Sequence, residues 1–252
     1  MAGDIESMAQ KAREASFALA AASLETRNRA LEAMARNIEN GIDELLAVNA
    51  EDVAQATAEG LSAPLLNRLK LTRAKCDAMA AGLRSLAALP DPLGHVQYAR
   101  ELVPGLNLYR VSCPIGVVGV IFESRPDALV QIASLCLKSG NAVLLKGGRE
   151  AARTNEMLAG LITRASDACG LPEGWCALLH SREDVQEMLR QHEWIDLVIP
   201  RGSNAFVRYI MQNSEIPVLG HAEGLCHVYV DDPCDLEVAL RVTLDSKAQN
   251  LS

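Results

Sequence analysis

The stretch CPIGVVGVIFESRPDALVQIASLCLKSGNAVLLKGGREA, residues 113–151, decides the fold. It contains two unbroken apolar runs, IGVVGVIF at 115–122 and AVLLK at 142–146, and neither alternates with polar residues. A strand that is apolar on both faces has to be covered on both, which is the condition of a parallel sheet enclosed by helices. Between the runs, residues 126–138 place apolar side chains at helical spacing behind Pro126, whose missing N–H is tolerated in a first helical turn.

The alternation continues toward the C-terminus. A helical segment at 151–168 leads to the run CALLH at 176–180, a helix at 183–191, the run DLVIP at 196–200 and a helix at 204–212. A last strand, LCHVYVD at 225–231, and a helix from Leu236 complete the pattern. Toward the N-terminus, residues 95–113 read as two strand-like runs joined by Pro104 and Gly105, a pair suited to a type II turn. Before them, residues 5–89 are rich in Ala, Leu, Glu and Arg, with Leu31, Met34, Ala35 and Ile38 on one helical stripe. Gly41, Gly60, Pro90 and Pro92 punctuate this segment, and Asp43 or Ser62 is a candidate cap for the helix that follows. The predicted architecture is α/β: an N-terminal helical segment at 1–94, a protruding β-hairpin at 95–113, and a doubly wound parallel sheet in 114–252.

Composition narrows the function. With 252 residues and 49% apolar content the chain can bury a sizeable core, and its net charge of −8 without Lys/Arg clusters argues against nucleic acid as a partner. No run is long enough to span a bilayer and no signal-peptide pattern opens the chain, so a cytoplasmic protein with a small-molecule partner is expected. Seven cysteines without C-x-x-C or zinc-type spacing point to no disulfide framework and no metal site; Cys76, Cys113, Cys136, Cys169 and Cys176 read as small buried residues.

In a doubly wound sheet, ligands bind beyond the carboxyl ends of the strands, so the loops after the apolar runs carry the chemistry. KGGRE sets Lys146 at a strand end, then Gly147, Gly148 and Arg149 before a helix, an arrangement that suits a phosphate or a turn that simply needs glycine. PRGSN repeats the logic with Gly202 and Ser203, which offer close approach and a helix-start amide to a pyrophosphate, or an ordinary Ser cap. FESRP places Glu123, Ser124 and Arg125 at a third strand end, where Arg125 is suited to a carboxylate or phosphate substrate, or to a salt-bridged helix start. Two phosphate-type loops in one sheet favour a dinucleotide over a lone phosphate, although the G-x-G-x-x-G fingerprint is missing.

Residues 113–151, with LVIPRGSNAFVRYI at 197–210 and IPVLGHAEGLCHVYVD at 216–231, closely resemble the gamma-glutamyl phosphate reductases, or glutamate-5-semialdehyde dehydrogenases, a branch of the aldehyde dehydrogenase superfamily. The resemblance implies an aldehyde-dehydrogenase-like fold, a homo-oligomer, and NADPH-dependent reduction of L-glutamyl 5-phosphate to L-glutamate 5-semialdehyde and phosphate in proline biosynthesis. By resemblance, Lys146 holds the adenosine ribose, and Arg149 stands where NAD-preferring relatives often carry Glu, which suits the 2′-phosphate of NADP. Gly202 and Ser203 match a Gly-Ser pair near the pyrophosphate, Ser124 takes the place of an oxyanion-stabilising Asn, and Arg125 with Glu123 meets the substrate. His221 and Glu223 receive no role, and His227 reads as a hydrogen-bonded core residue inside the last strand.

The family's reaction begins with a Cys thiolate that displaces phosphate to form a thioester, and the matching Cys falls about five residues beyond Gln249, outside these 252 residues. The chain is therefore expected to be inactive alone and to expose apolar surface. The alternatives are a non-catalytic NADP-binding fragment and another acylating aldehyde dehydrogenase.

Overall fold

The computed structural model describes residues 2–123, 125–220 and 227–248. Five helices come first: α1 (Ala2–Ala21), α2 (Leu24–Asn40), α3 (Ile42–Ala58), α4 (Ala63–Leu69) and α5 (Arg73–Ala88). A hairpin of β1 (Val96–Val103) and β2 (Leu106–Val111) follows. Then come β3 (Val117–Ile121), α6 (Pro126–Lys138), β4 (Ala142–Lys146), a 3-10 turn at Arg149–Ala151, α7 (Ala152–Asp167) and β5 (Cys176–Leu178). The chain continues through α8 (Arg182–Met188), β6 (Leu197–Pro200), α9 (Asn204–Asn213) and α10 (Leu236–Ala248). Residues 1–220 form one compact unit and residues 221–252 another.

The apolar runs behave as their lack of alternation requires. Every residue of β3 and β4 is buried, and β5, β4, β3 and β6 form, in that order, a fully parallel sheet. α6 packs on β4, α7 on β5 and the two helices on each other, while α1 lies against β3, β4 and β5 and carries α8. The helical layer shares its core with the sheet: α2 buries Ala30, Leu31, Met34, Ala35 and Ile38 and packs on α5 and α7.

Polar side chains also tie the layers together. Arg27 of α2, only 2% exposed, donates to both carboxylate oxygens of Asp91 and to the backbone carbonyl of Lys138. Lys138 closes α6 and donates to Asn28 Oδ1 at 2.8 Å and to the carbonyls of Ala87 and Leu89. Arg13 of α1 pairs at 2.8 Å with Asp196, whose other oxygen accepts the Val117 N–H at 2.8 Å. That oxygen also excludes a side chain at Gly116, whose φ of +125° would strain any other residue.

Several readings change. Asp43 lies inside the first turn of α3, whose N-cap is Gly41, and Ser62 sits at the N-cap of α4 without a side-chain hydrogen bond. Thr72, unforeseen, caps α5 by accepting from Lys75 N at 3.2 Å. The predicted strand at 225–231 is not formed over its described part: residues 227–231 pair with no strand among the described residues, and His227 is exposed rather than in a core. Extended apolar residues make a strand only where a neighbour accepts their backbone bonds. Cys113 is exposed on the connection from the hairpin to β3, because that segment leaves the core before β3 begins, while Cys136 and Cys169 are half-buried.

The hairpin is exposed along its whole length on both faces, and its turn has Gly105 at φ +85°, as a type II turn requires. In the second unit α10 buries no residue, and Leu236, Val238, Leu240, Val242 and Leu244 are exposed. Among the described residues no helix is long and apolar enough to cross a membrane.

Candidate cofactor site at the carboxyl edge of the sheet

In the order β5-β4-β3-β6, the crossover from β3 runs to β4 on one side while β6 lies on the other, so the topological switch point falls between β3 and β6. The register sets Ile121 level with Lys146 on one side and Pro200 on the other. The three loops that follow these strands therefore start at one height. Backbone bonds from Phe122 N to Lys146 O at 2.9 Å and from Arg201 N to Ile121 O at 2.7 Å extend the ladder past the strands and fix the loops' spacing.

On the β4 side, Lys146 is buried and its Nζ donates to the Gly147 carbonyl. Burial lowers its pKa, with Glu150 and Asp184 opposing the shift. Gly147 lies against Asn155 and Phe122: a Cβ there would stand 2.3 Å from Asn155 Nδ2 and 3.1 Å from Phe122 Cζ. At Gly148 a Cβ would meet the Glu150 carboxylate at 2.1 Å. A side chain at Gly147 would displace buried Asn155 and press on Phe122, whereas at Gly148 the flexible Glu150 side chain would have to move aside. Asn155 Oδ1 is buried without a hydrogen-bond partner among the described residues. Arg149 extends into solvent with its side chain 84% exposed, and its guanidinium lies 3.5 Å from Glu59 of the α3 C-terminus.

The start of α7 is held from α3. Asp52, buried, accepts from Thr154 N at 2.8 Å and Thr154 Oγ1 at 2.7 Å, and Asn49 donates to the same hydroxyl at 3.2 Å. A fixed carboxylate on this helix start offsets part of its positive dipole. Anion attraction at this loop therefore falls to the side chains more than to the helix end. Sequence reasoning missed Asp52, Asn155 and Glu59, because their partners lie about a hundred residues away or on an adjacent turn that no local pattern marks.

On the β6 side, Ser203 is the N-cap of α9 and its hydroxyl oxygen accepts from Phe206 N at 3.3 Å. A Cβ at Gly202 would stand 3.1 Å from Phe206 and 3.5 Å from Glu123 Oε1, so the β3 and β6 loops meet at these two residues. Arg125 is bound 2.8 Å from Asp127 in the first turn of α6, and this carboxylate raises the Arg125 pKa. Ser124, His221 and Glu223 lie outside the described residues, as does Cys226.

The thiols of the sheet and its helices are unreactive by environment. Burial pushes Cys136 up to about 12 and raises Cys176 and Cys76 as well, so none of the three is a thiolate at neutral pH. Site-resolved alkylation at pH 8 should label exposed Cys113 and Cys234 before Cys76, Cys136 or Cys176. Early labelling of Cys136 would contradict this packing.

Comparison with known proteins places this geometry. Residues 1–251 match the profile of the aldehyde dehydrogenase family. The chain belongs to the aldehyde dehydrogenase family. It is 54% identical over 246 residues to the gamma-glutamyl phosphate reductase of Pelotomaculum thermopropionicum, covering 98% of this chain and 57% of that protein. The crystal structure of gamma-glutamyl phosphate reductase from Thermotoga maritima superposes with a TM-score of 0.89 at 34% identity, over 97% of this chain and 60% of the other. The Saccharomyces cerevisiae enzyme of that name gives 0.81 at 41% identity, over 96% and 62%. The chain thus spans little more than half the length of the curated relative from Pelotomaculum. Membership in the aldehyde dehydrogenase family implies a nicotinamide cofactor. The residues present fit one: the amides of Gly147 and Gly148, and those of Gly202 and Ser203, donate to no backbone carbonyl among the described residues. Two such pairs of donors on either side of β3 suit the pyrophosphate of a dinucleotide.

Proposed function

We propose that these 252 residues form the cofactor-binding part of a gamma-glutamyl phosphate reductase that uses NADPH. The observation that carries the reading is Arg149, an exposed cation three residues past Lys146 at the carboxyl edge of the sheet. A guanidinium there suits a 2′-phosphate through paired, charge-assisted hydrogen bonds. Lys146 would serve the adenosine ribose, Gly147 and Gly148 the neighbouring backbone contacts, and Gly202 and Ser203 the pyrophosphate.

In the proposed reaction, L-glutamyl 5-phosphate, NADPH and a proton give L-glutamate 5-semialdehyde, NADP and inorganic phosphate. The cofactor supplies the hydride. Arg125 would bind a substrate anion after leaving Asp127, an exposed ion pair worth about 1 kcal/mol or less, and Glu123 and Ser124 would line the same place. The hairpin, uncovered on both faces and exposing Val96, Tyr98, Leu102, Leu106, Leu108 and Tyr109, would be an inter-subunit arm, in a soluble cytoplasmic oligomer.

Burial holds Cys76, Cys136 and Cys176 in the thiol form, and no other cysteine of these 252 residues is assigned as the nucleophile. The 252-residue polypeptide is therefore expected to bind NADPH without consuming it. The test is a fluorescence titration with NADPH followed by addition of L-glutamyl 5-phosphate. Binding with no loss of the reduced-nicotinamide absorbance supports the reading. Failure to bind NADPH overturns the cofactor assignment, and consumption of NADPH overturns the assignment of the thiol chemistry.

A further inference from the structure

The face of α3 toward α7 carries Glu51, Asp52, Gln55 and Glu59, at helical spacing, against two arginines of the β4 loop and its helix. The two cations are held very differently. Arg153 donates to Gln55 Oε1 at 3.1 Å and pairs with the carboxylates of Asp52 at 3.5 Å and Glu51 at 3.9 Å. Arg149 pairs, among the described residues, with one carboxylate, Glu59, at 3.5 Å, and most of its side chain is in solvent. Glu59 is also the C-cap of α3, where the negative end of the helix dipole adds to its own charge, and Gln55 Nε2 steadies its Oε1 at 3.0 Å.

We propose that Glu59 is a specificity-tuning residue for the cofactor, competing with the 2′-phosphate for Arg149. The inference rests on Arg149 being the residue that binds this phosphate. Without a phosphate, Glu59 holds the guanidinium. A 2′-phosphate, carrying close to two negative charges, must take Arg149 from Glu59 and then lie near that carboxylate. An NADH ribose presents hydroxyls at the same place and meets neither the competition nor the repulsion. Glu59 therefore lowers NADPH affinity selectively. It acts through Arg149 and through the local field, so its signature is a change in the ratio of NADPH to NADH affinity rather than a general loss.

The experiment is equilibrium titration of the 252-residue chain and its variants with NADPH, NADH and 2′,5′-ADP, at low and high salt. Glu59→Gln should tighten NADPH and 2′,5′-ADP by about threefold to tenfold, leave NADH unchanged, and lose most of the gain at high salt, since the groups are exposed. In an Arg149→Ala background the same substitution should give a smaller gain. Glu51→Gln removes an equal charge from the same helix but faces Arg153, and should change little. The inference is overturned if Glu59→Gln is silent while Arg149→Ala weakens NADPH selectively, or if Glu51→Gln gives the same gain. If Arg149→Ala leaves the NADPH-to-NADH ratio untouched, the Arg149 reading itself falls and this inference falls with it.

Discussion

Replacing Arg27 with methionine should destabilise the first unit by about 3 kcal/mol, the low end of the cost of breaking a buried ion pair. The low end applies because Asp91 keeps 29% of its side chain exposed while Arg27 keeps 2%. The guanidinium joins three segments: the start of α2, the α5-to-hairpin connection at Asp91, and the last carbonyl of α6 at Lys138. Methionine fills most of the volume but leaves the Lys138 carbonyl without the arginine's donor and the Asp91 carboxylate, among the described residues, with only the Leu93 N–H. In a folding unit of this size the loss corresponds to a Tm lower by about 6–12 °C. Urea denaturation of the two proteins checks it, and a difference below about 1 kcal/mol would show that water replaces the arginine at little cost.

The same cluster gives a pH signature. Burial raises the Asp91 pKa, but the Leu93 N–H and Arg27 outweigh it, and the net value lies below the usual carboxylate range. A group whose folded pKa is depressed adds stability above its unfolded pKa of about 3.9 and loses it as pH falls through the folded value. The acid limb of the stability curve should therefore be shallower in Arg27→Met than in the parent.

Arg149→Ala should weaken NADPH and 2′,5′-ADP by about tenfold to a hundredfold, the range of one hydrogen bond to a charged group, while NADH affinity stays within about twofold. The residue's exposure means nothing in the core depends on it, so the melting temperature should not move. High salt should shrink the effect, because an exposed charge pair is screened within about a Debye length. Equal losses for both nucleotides would mean that Arg149 shapes the loop rather than reads the phosphate.

Much of this was legible in the sequence, and the exceptions follow a rule. α6 and β4 were read to the residue, because Pro126 marks a helix start and an unbroken apolar run admits few alternatives in a covered parallel sheet. The loops of interest were legible for the same reason, since the end of a buried strand marks the functional edge. Local pattern could not supply the partners. Residues 227–231 have a strand's composition and, among the described residues, no strand beside them. Ser203 reads equally well as a cap or a phosphate contact, and the structure shows the capping bond. Asp52 on Thr154 and Glu59 on Arg149 join residues 102 and 90 positions apart, a distance no periodicity reaches.

The central claim is that the loops after β4 and β6 together hold NADPH. Hydrogen exchange of the 252-residue chain with and without saturating NADPH tests it most directly. Exchange should slow at the amides of residues 147–149 and 202–204, with the hairpin unchanged. Binding accompanied by protection elsewhere, with both loops unaffected, would contradict it.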